Sequence, residues 1–366
     1  MLELRESKRI NNFHLLRLLA AIEVFTAHGL AHLEVPVPEW VVEILWWFPG
    51  VPIFFIASGF LITQSYCKNG SLTVFFRNRI LRIFPALWVC LLVSLAVVAL
   101  FGAAGDFWTE GAFWRWLAAQ LMAFSSLAQV VASGMFNTFG THELNGALWT
   151  LSVELQFYLI LPLLLFVVFK AKLKFLCVFS ISLASIGIYL ITIDYWTKGP
   201  VSNIILFSYT SVFPHLFVFL IGVCAYIYFD FIKRWLINRI LWWLSTYIVW
   251  RVLLWQAGYA GYWAVEKNVF LMLITKLLLA GAVLSFAFSL SGLSQRILGD
   301  NDISYGVYIY HMVVINIWVE LGFTGSFWPL WAGLLVTCFV ASLSWRFIEK
   351  PALSMKKPRL LLPQLA

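Results

Sequence analysis

The sequence has 366 residues, of which 62% are hydrophobic and 11% charged, and its formal net charge is +8. Soluble domains carry about 25% charged residues, so this chain lacks the polar groups that would cover its 19 Trp and 33 Phe in water. The composition excludes a cytosolic enzyme, a secreted domain and a disordered chain, and it predicts an integral membrane protein.

Long apolar segments follow one another along the chain, each near the length of about 20 residues that a membrane-spanning helix needs. The sequence therefore predicts an all-α polytopic membrane protein with about ten transmembrane helices around a central polar cavity. The candidate spans are 12–32, 44–66, 84–103, 148–169, 173–193, 203–229, 237–257, 268–290, 304–321 and 327–348. A further apolar segment, 111–128, is interrupted by Arg115 and Gln120, and we expect it to be re-entrant or interfacial.

Basic residues indicate the orientation of these spans. Cytoplasmic loops carry an excess of Lys and Arg, and every basic cluster falls on one side if 111–128 does not cross the bilayer. The clusters are Arg5/Lys8/Arg9, Lys68/Arg77/Arg79/Arg82, Lys170/Lys172/Lys174, Lys233/Arg234/Arg239 and Lys350/Lys356/Lys357/Arg359. We expect both termini in the cytoplasm, with 1–350 as a single transmembrane domain and 351–366 as a short tail. The clusters suit anionic lipid headgroups rather than nucleic acid.

The first span contains ionisable residues, which are costly in a membrane and usually face a cavity or a partner. Arg17 and His28 are eleven residues apart, so at about 100° per residue they share one helix face, about 16 Å apart along the axis. They would place a cation and a titratable imidazole along one wall of a crevice. Glu23 lies on a different face. The alternative is an Arg that snorkels to the interface and a structural His.

The fourth span opens with a second polar group, Glu154, which stacks on Tyr158 at the i,i+4 spacing. We expect Glu154 at the depth of His28, where a carboxylate fixes the tautomer of an imidazole and raises its basicity. Such a His could act as general base on a hydroxyl. The alternative is a carboxylate at a helix start, stabilised by the helix dipole. Ser152 belongs to the same expected cavity wall.

Three arginines, Arg77, Arg79 and Arg82, precede the third span. Guanidinium groups bind phosphates through forked hydrogen bonds, so the cluster suits a phosphate or pyrophosphate, although anchoring to lipid headgroups explains it equally well. Ser58, beside Gly59 in span two, and His311 in span nine are further candidate cavity residues. The five cysteines are scattered singly without CxxC spacing, so we expect neither a metal site nor a disulfide framework.

Taken in order along the chain, these segments resemble acyltransferase family 3, a family of membrane-bound O-acyltransferases. The resemblance rests on Arg17 followed by His28 and on the motifs FFIASGFLI (54–62), RNRILRIFP (77–85), ALWTLSVELQFYL (147–159), SYGVYIYH (304–311) and RFIEKP (346–351). The chain departs from the family pattern at Leu155, where a second acid is common, and at Tyr310, where Trp is common.

The resemblance implies an O-acetyltransferase of the cell inner membrane. It would take acetyl from cytoplasmic acetyl-CoA and transfer it to a hydroxyl of a cell-surface or lipid-linked glycan, such as lipopolysaccharide O-antigen or exopolysaccharide. Arg17 and His28 would belong to the transfer path, Arg79 and Arg82 to an Arg-x-x-Arg motif, and Glu154 would be the acid of span four. Some members carry an extracytoplasmic hydrolase-like domain, which we do not expect here.

On this hypothesis the phosphates of acetyl-CoA lie near Arg79, Arg82 and Arg77, and no cofactor is permanently bound. His28 acts as general base or relays the acetyl group, and Glu154 orients it. No Cys or Ser stands out as a nucleophile, which favours direct transfer. The alternative is a non-enzymatic carrier or flippase for a lipid-linked sugar, with Arg17, His28 and Glu154 lining its path. The absence of inverted repeats argues against that alternative.

Overall fold

The computed structural model describes residues 11–69, 71–102, 107–124, 128, 135–170, 174–199 and 201–356. Across these ranges the chain forms helices and loops but no strand, which confirms the predicted all-α class. The basic cluster Arg5/Lys8/Arg9, the residue Lys172 and the end of the expected tail, 357–366, lie outside the described residues.

Most of the helices follow the apolar segments of the sequence. In chain order they are α1 (Phe13–His32), α2 (Glu39–Trp47), α3 (Gly50–Asn69), α4 (Leu72–Leu100), α5 (Gly111–Leu121), α6 (Trp149–Lys170), α7 (Lys174–Lys198), α8 (Asn203–Tyr209), α9 (Leu216–Ile227), α10 (Phe229–Leu236), α11 (Ile240–Gln256), α12 (Tyr262–Glu266), α13 (Val269–Phe288), α14 (Leu293–Leu298), α15 (Ser304–Glu320), α16 (Phe327–Ser344) and α17 (Lys350–Ser354). Short 3₁₀ turns precede α6 (Gly146–Leu148) and α9 (Phe213–His215), and a π-helical turn (Trp345–Glu349) joins α16 to α17.

Seven segments of the described chain are long and apolar enough to cross a membrane. They correspond to α1, α2–α3, α4, α6, α7, α13 and the segment from α16 to α17, and the bent pair formed by α8 and 213–227 is an eighth candidate. The remaining two predicted spans form α11 and α15, which have 17 residues each and are about 26 Å long, against a hydrocarbon core of about 30 Å. Length and composition therefore support seven or eight spans, fewer than the ten predicted.

The segment 111–128 contains a helix too short to cross a bilayer. Helix α5 has 11 residues, about 16 Å at 1.5 Å per residue. Residues 125–127 of this segment lie outside the described part. The rest of the segment has the short helix expected of an interfacial or re-entrant element.

The bundle centres on α1, which contacts α3, α13, α15 and α16. Helix α3 packs closely on α9 because Gly59 and Gly222 face each other: a Cβ at Gly59 would overlap the carbonyl oxygen of Phe219, and one at Gly222 would overlap that of Ile56. Gly59 therefore permits a close approach of α3 to α9. Small residues at such crossings are typical of helices packed in membranes.

The start of α1 is fixed to the segment that leads to α15. Asn12 is fully buried; its amide nitrogen donates to the carbonyl oxygen of Ser289 at 2.5 Å, and its Oδ1 accepts from the backbone N–H of Ser294 at 2.9 Å. These bonds hold the loop before α15 against α1. They position Asp302, just before α15, beside Arg17 of α1.

Candidate active site

One cavity lined by Arg17 and another lined by His28 lie among the described helices, and Val51 and Phe55 line both of them. The Arg17 cavity is lined by Arg17, Val51, Phe54, Phe55, Ser58, Thr150, Leu151, Glu154, Ser304, Tyr305 and Tyr308. The His28 cavity is lined by Glu23, Val24, Ala27, His28, Trp46, Pro49, Gly50, Val51, Pro52, Phe55, Trp149, Tyr189, Tyr209, His215, Val218, Tyr262, Trp263 and Lys276. The volume of the His28 cavity is about 180 Å³, and that of the Arg17 cavity is about 30 Å³.

His28 is paired with a second histidine of the predicted set, His311. The two ring nitrogens, His28 Nδ1 and His311 Nε2, are 2.9 Å apart, and His311 Nδ1 lies 2.6 Å from the carbonyl oxygen of Tyr308. A carbonyl only accepts, so in the neutral ring Nδ1 of His311 carries the proton and Nε2 accepts. His28 therefore donates through Nδ1, which leaves the lone pair of its Nε2 free. This is the tautomer that a general base requires.

Glu154 has a different set of neighbours from the one we expected. Its Oε1 accepts from the hydroxyl groups of Tyr158 at 2.6 Å and Ser58 at 3.4 Å, and it lines the Arg17 cavity. The expected contact between Glu154 and His28 is replaced by the contact between His28 and His311. The physical reason is helix packing: α1 presents His28 to α15, whereas α6 presents Glu154 to α3.

Arg17 and Arg82 are joined by an acid that the sequence analysis did not select, Asp302. Asp302 Oδ2 lies 3.2 Å from Arg17 Nη1 and 2.5 Å from Arg82 Nη2, and Glu349 Oε2 is 3.9 Å from Arg82 Nη1. Burial by itself would raise the pKa of Asp302, but the charges of Arg82 and Arg17 and the hydroxyl of Ser304 outweigh it and hold that pKa well below its usual range. Asp302 is therefore ionised, and Arg82 is committed to a buried ion-pair network.

Arg77, Arg79 and Lys356 form a cationic group beside the Arg82 network, since the charges of Arg79 and Arg82 both act on Lys356. Arg79 donates to Ser65 Oγ at 2.9 Å and lies 5.6 Å from the ring centre of Tyr158, while its Nε has no hydrogen-bond partner in the described chain. Arg77 donates to the carbonyl oxygen of Met355 at 3.2 Å. Burial, followed by the charges of Arg79 and Arg82, lowers the pKa of Lys356 to about 7. A cationic site of this kind is stabilised by an anion.

The other predicted cavity residues divide into two groups. Ser58 lines the Arg17 cavity. Ser152, Tyr158 and His311 are buried and line neither of these two cavities. Ser152 accepts a hydrogen bond from Gln156 at 3.4 Å. Glu23, placed on a different face of α1, accepts from the backbone N–H of Gly50 at 2.6 Å and lines the His28 cavity.

Several ionisable residues at these sites were missed in the sequence analysis. They are Asp302, Glu349, Glu266, Lys276 and His215. Lys276 and His215 stand inside predicted spans, so the high cost of intramembrane polar groups was a signal for both. The buried pair of Lys276 and Glu266, 2.6 Å apart, explains how the lysine is tolerated. Glu349 stood in the RFIEKP motif, but no partner could be assigned to it from spacing.

Comparison with known proteins identifies the family. The family model described as an acyltransferase domain matches residues 10–348 of this chain. The chain belongs to acyltransferase family 3. This acyltransferase 3 protein is therefore an acyltransferase rather than the non-enzymatic carrier considered above, and its apolar helices make it a multi-pass membrane protein.

Relatives of this acyltransferase 3 protein span most of its length. It is 33% identical to nodulation protein 10 of Rhizobium leguminosarum bv. viciae, with 94% of each chain covered. It is 26% identical to the O-acetyl transferase of Shigella phage Sf6, with 96% of this chain and 98% of the phage protein covered. It is 27% identical to the putative peptidoglycan O-acetyltransferase YrhL of Bacillus subtilis (strain 168), but spans only 50% of that protein. No solved structure gives a significant match.

Proposed function

We propose that this acyltransferase moves an acetyl group from acetyl-CoA to a hydroxyl of a cell-surface or lipid-linked glycan. The observation that carries the proposal is the hydrogen-bonded chain from Tyr308 through His311 to His28, which leaves Nε2 of His28 as a base in a cavity. The relatives named O-acetyltransferase support acetyl as the group transferred.

The chemistry is a direct transfer with His28 as general base. His28 Nε2 takes the proton of the acceptor hydroxyl while the hydroxyl oxygen bonds to the thioester carbonyl carbon. The carbon–sulfur bond then breaks, and the proton passes from His28 to the departing thiolate, which yields CoA and the acetyl ester. His311 accepts a hydrogen bond from Nδ1 of His28 throughout and stabilises the imidazolium that forms between the two steps.

Donor and acceptor would approach from the two cavities, because Val51 and Phe55 line both. The cationic group of Arg77, Arg79 and Lys356 suits the phosphates of CoA, since phosphate oxygens accept the hydrogen bonds that these cations donate. An anion held there would favour the protonated form of Lys356, whose pKa burial and neighbouring arginines lower to about 7. Arg82 is paired with Asp302 and Glu349, so its effect on the donor would be indirect. It would hold Asp302 in place, and Asp302 in turn holds Arg17.

The acceptor would occupy the His28 cavity. Its walls carry the aromatic rings of Trp46, Trp149, Tyr209, Tyr262 and Trp263. Such rings present apolar faces and, in Tyr and Trp, a polar edge, a combination suited to a sugar ring with C–H faces and hydroxyl edges. The cavity also has the larger space of the two.

Release of CoA from acetyl-CoA by the purified protein tests this function. We expect CoA release and transfer of labelled acetyl when the acceptor is surface polysaccharide taken from cells that lack the gene and then de-esterified. Protein heated to unfold it serves as the control. If the folded protein releases no CoA and labels no glycan, the proposed function is contradicted.

Arg79→Ala should raise the KM for acetyl-CoA by about 10- to 100-fold, because each hydrogen bond to a charged group contributes about 1.5–3 kcal/mol. The KM for the polysaccharide should change much less. Steady-state kinetics with each substrate varied in turn measures both values. Arg115→Ala, at an exposed arginine of α5, is the matched control. An unchanged KM for acetyl-CoA at normal protein level would leave lipid anchoring as the role of Arg79.

Both termini are proposed to lie in the cytoplasm of an inner-membrane protein, because the basic clusters then share one side. Reporter domains fused after residue 174 and at the C-terminus should both report the cytoplasm. A fusion after residue 198, in a loop that we expect on the other side, should report the opposite compartment. An external signal from either of the first two fusions would overturn this orientation.

A further inference from the structure

A second histidine, His215, stands in the wall of the His28 cavity. It ends the 3₁₀ turn Phe213–His215, is 93% buried, and packs among aromatic rings. Its ring centre is 5.3 Å from those of Phe55 and Trp149 and 5.5 Å from that of Tyr209. The general-base chemistry of His28 makes no use of this residue.

One ring nitrogen of His215 is occupied and the other is free. Nε2 lies 2.7 Å from the carbonyl oxygen of Tyr209, so in the neutral ring Nε2 carries the proton and donates. Nδ1 then carries a lone pair, and it makes no hydrogen bond with any residue that the structure describes. A ligand in the cavity that donates a hydrogen bond would pair with this lone pair.

The chemistry of Nδ1 restricts what it can bind. A hydroxyl donates a hydrogen bond to it, whereas a carboxylate or phosphate oxygen does not. The cavity's lysine, Lys276, is engaged by Glu266 at 2.6 Å and by the hydroxyl of Tyr262 at 3.3 Å, so it is already neutralised by a buried partner. Of the histidines that line this cavity, His28 keeps the lone pair of Nε2 and His215 keeps that of Nδ1 as hydrogen-bond acceptors.

We infer that His215 positions the acceptor sugar. One hydroxyl of the sugar loses its proton to His28, and a second hydroxyl of the same sugar donates a hydrogen bond to Nδ1 of His215. The inference rests on the proposed function and deepens it: the acceptor is a sugar ring with at least two free hydroxyls in the cavity. One of these hydroxyls is acetylated, and the hydrogen bond between the other hydroxyl and His215 determines which one it is. His215 is thus a positioning residue that determines the site of acetylation.

Two substitutions separate this role from a structural one. His215→Gln places an amide N–H near the position of Nε2, so it keeps the bond to Tyr209 and loses the acceptor Nδ1. His215→Asn places an amide oxygen near the position of Nδ1, so it keeps the acceptor and loses the bond to Tyr209. His142→Gln, at an exposed histidine bonded to the carbonyl oxygen of Asn137, is the matched control.

The assay uses acetyl-CoA and de-esterified surface polysaccharide from cells that lack the gene, with the full chain in detergent. We expect His215→Gln to raise the polysaccharide KM by about 2- to 12-fold, the equivalent of one neutral hydrogen bond, to lower kcat by a smaller factor, and to spread acetyl over neighbouring hydroxyls in the NMR spectrum of the product. His215→Asn should keep the wild-type KM and product.

A wild-type KM and a single acetylated position in His215→Gln would overturn the inference. So would equal increases of the polysaccharide KM in the Gln and Asn variants. If His215→Asn does not fold, the Gln variant decides alone. Failure of the wild-type protein to acetylate the polysaccharide would instead contradict the proposed function, so the two failures are distinguishable.

Discussion

Replacement of His28 by asparagine is expected to lower the acetyl-transfer rate by about 10²–10⁴-fold, the usual contribution of a general base. The asparagine amide can still donate to His311 Nε2, as Nδ1 of His28 does at 2.9 Å, but it offers no base in place of Nε2. Folding and membrane insertion should therefore be preserved. The measurement is the initial rate of labelled acetyl transfer, normalised to the monodisperse protein recovered by size-exclusion chromatography.

His142→Asn is the matched control, since His142 is exposed, lies outside the helices and lines neither cavity. We expect it to keep near-normal activity. His28→Ala should lose as much activity as His28→Asn, because both remove Nε2. Near-normal turnover in His28→Asn would end the proposed mechanism and leave His311 as the next candidate base.

Arg82→Ala is expected to destabilise the protein by about 3–5 kcal/mol, the cost of removing one partner of a buried ion pair. The substitution leaves the carboxylates of Asp302 and Glu349 buried, at 4% and 2% exposed. In the described chain, Arg17, 3.2 Å from Asp302, is then the remaining ion-pair partner of Asp302. Thermal unfolding in detergent, followed by loss of the monodisperse peak, measures the effect. Arg115→Ala, at an exposed site, should leave the unfolding temperature within error.

Adding Asp302→Asn to Arg82→Ala should recover part of the lost stability, because it removes the carboxylate that Arg82 compensates. The two substitutions would then be non-additive, as expected for residues in one network. An unchanged unfolding temperature in Arg82→Ala, together with a raised KM for acetyl-CoA, would contradict this structural role. It would support the donor-binding role that the spacing of Arg79 and Arg82 suggested.

The same network gives stability a dependence on pH. The pKa of Asp302 in the folded protein lies below its unfolded value of about 3.9. A depressed carboxyl pKa contributes stability that is fully present above the unfolded pKa and is lost as the pH falls through the folded pKa. Arg82→Ala should therefore remove part of a stabilisation that operates throughout the neutral range.

The sequence by itself determined the membrane class, the all-α fold and which polar residues share a face of one helix. Hydrophobic length located the helices, and a period of 3.6 residues put Arg17 and His28 on one face of α1. The ordered motifs identified the family, which the match across residues 10–348 confirmed. These properties are local, so each can be read from a window of one helix or one motif.

Only the tertiary structure decided which polar groups meet. His28 and His311 are 283 positions apart, and Arg82 and Asp302 are 220 apart, so no local period relates them. Glu154 was expected beside His28 and instead contacts Ser58 and Tyr158. A buried polar group must find a hydrogen-bond partner, but the sequence does not say on which helix that partner stands. Helix packing makes that choice, because contacts such as that between Gly59 and Gly222 fix which faces of the helices turn toward each other.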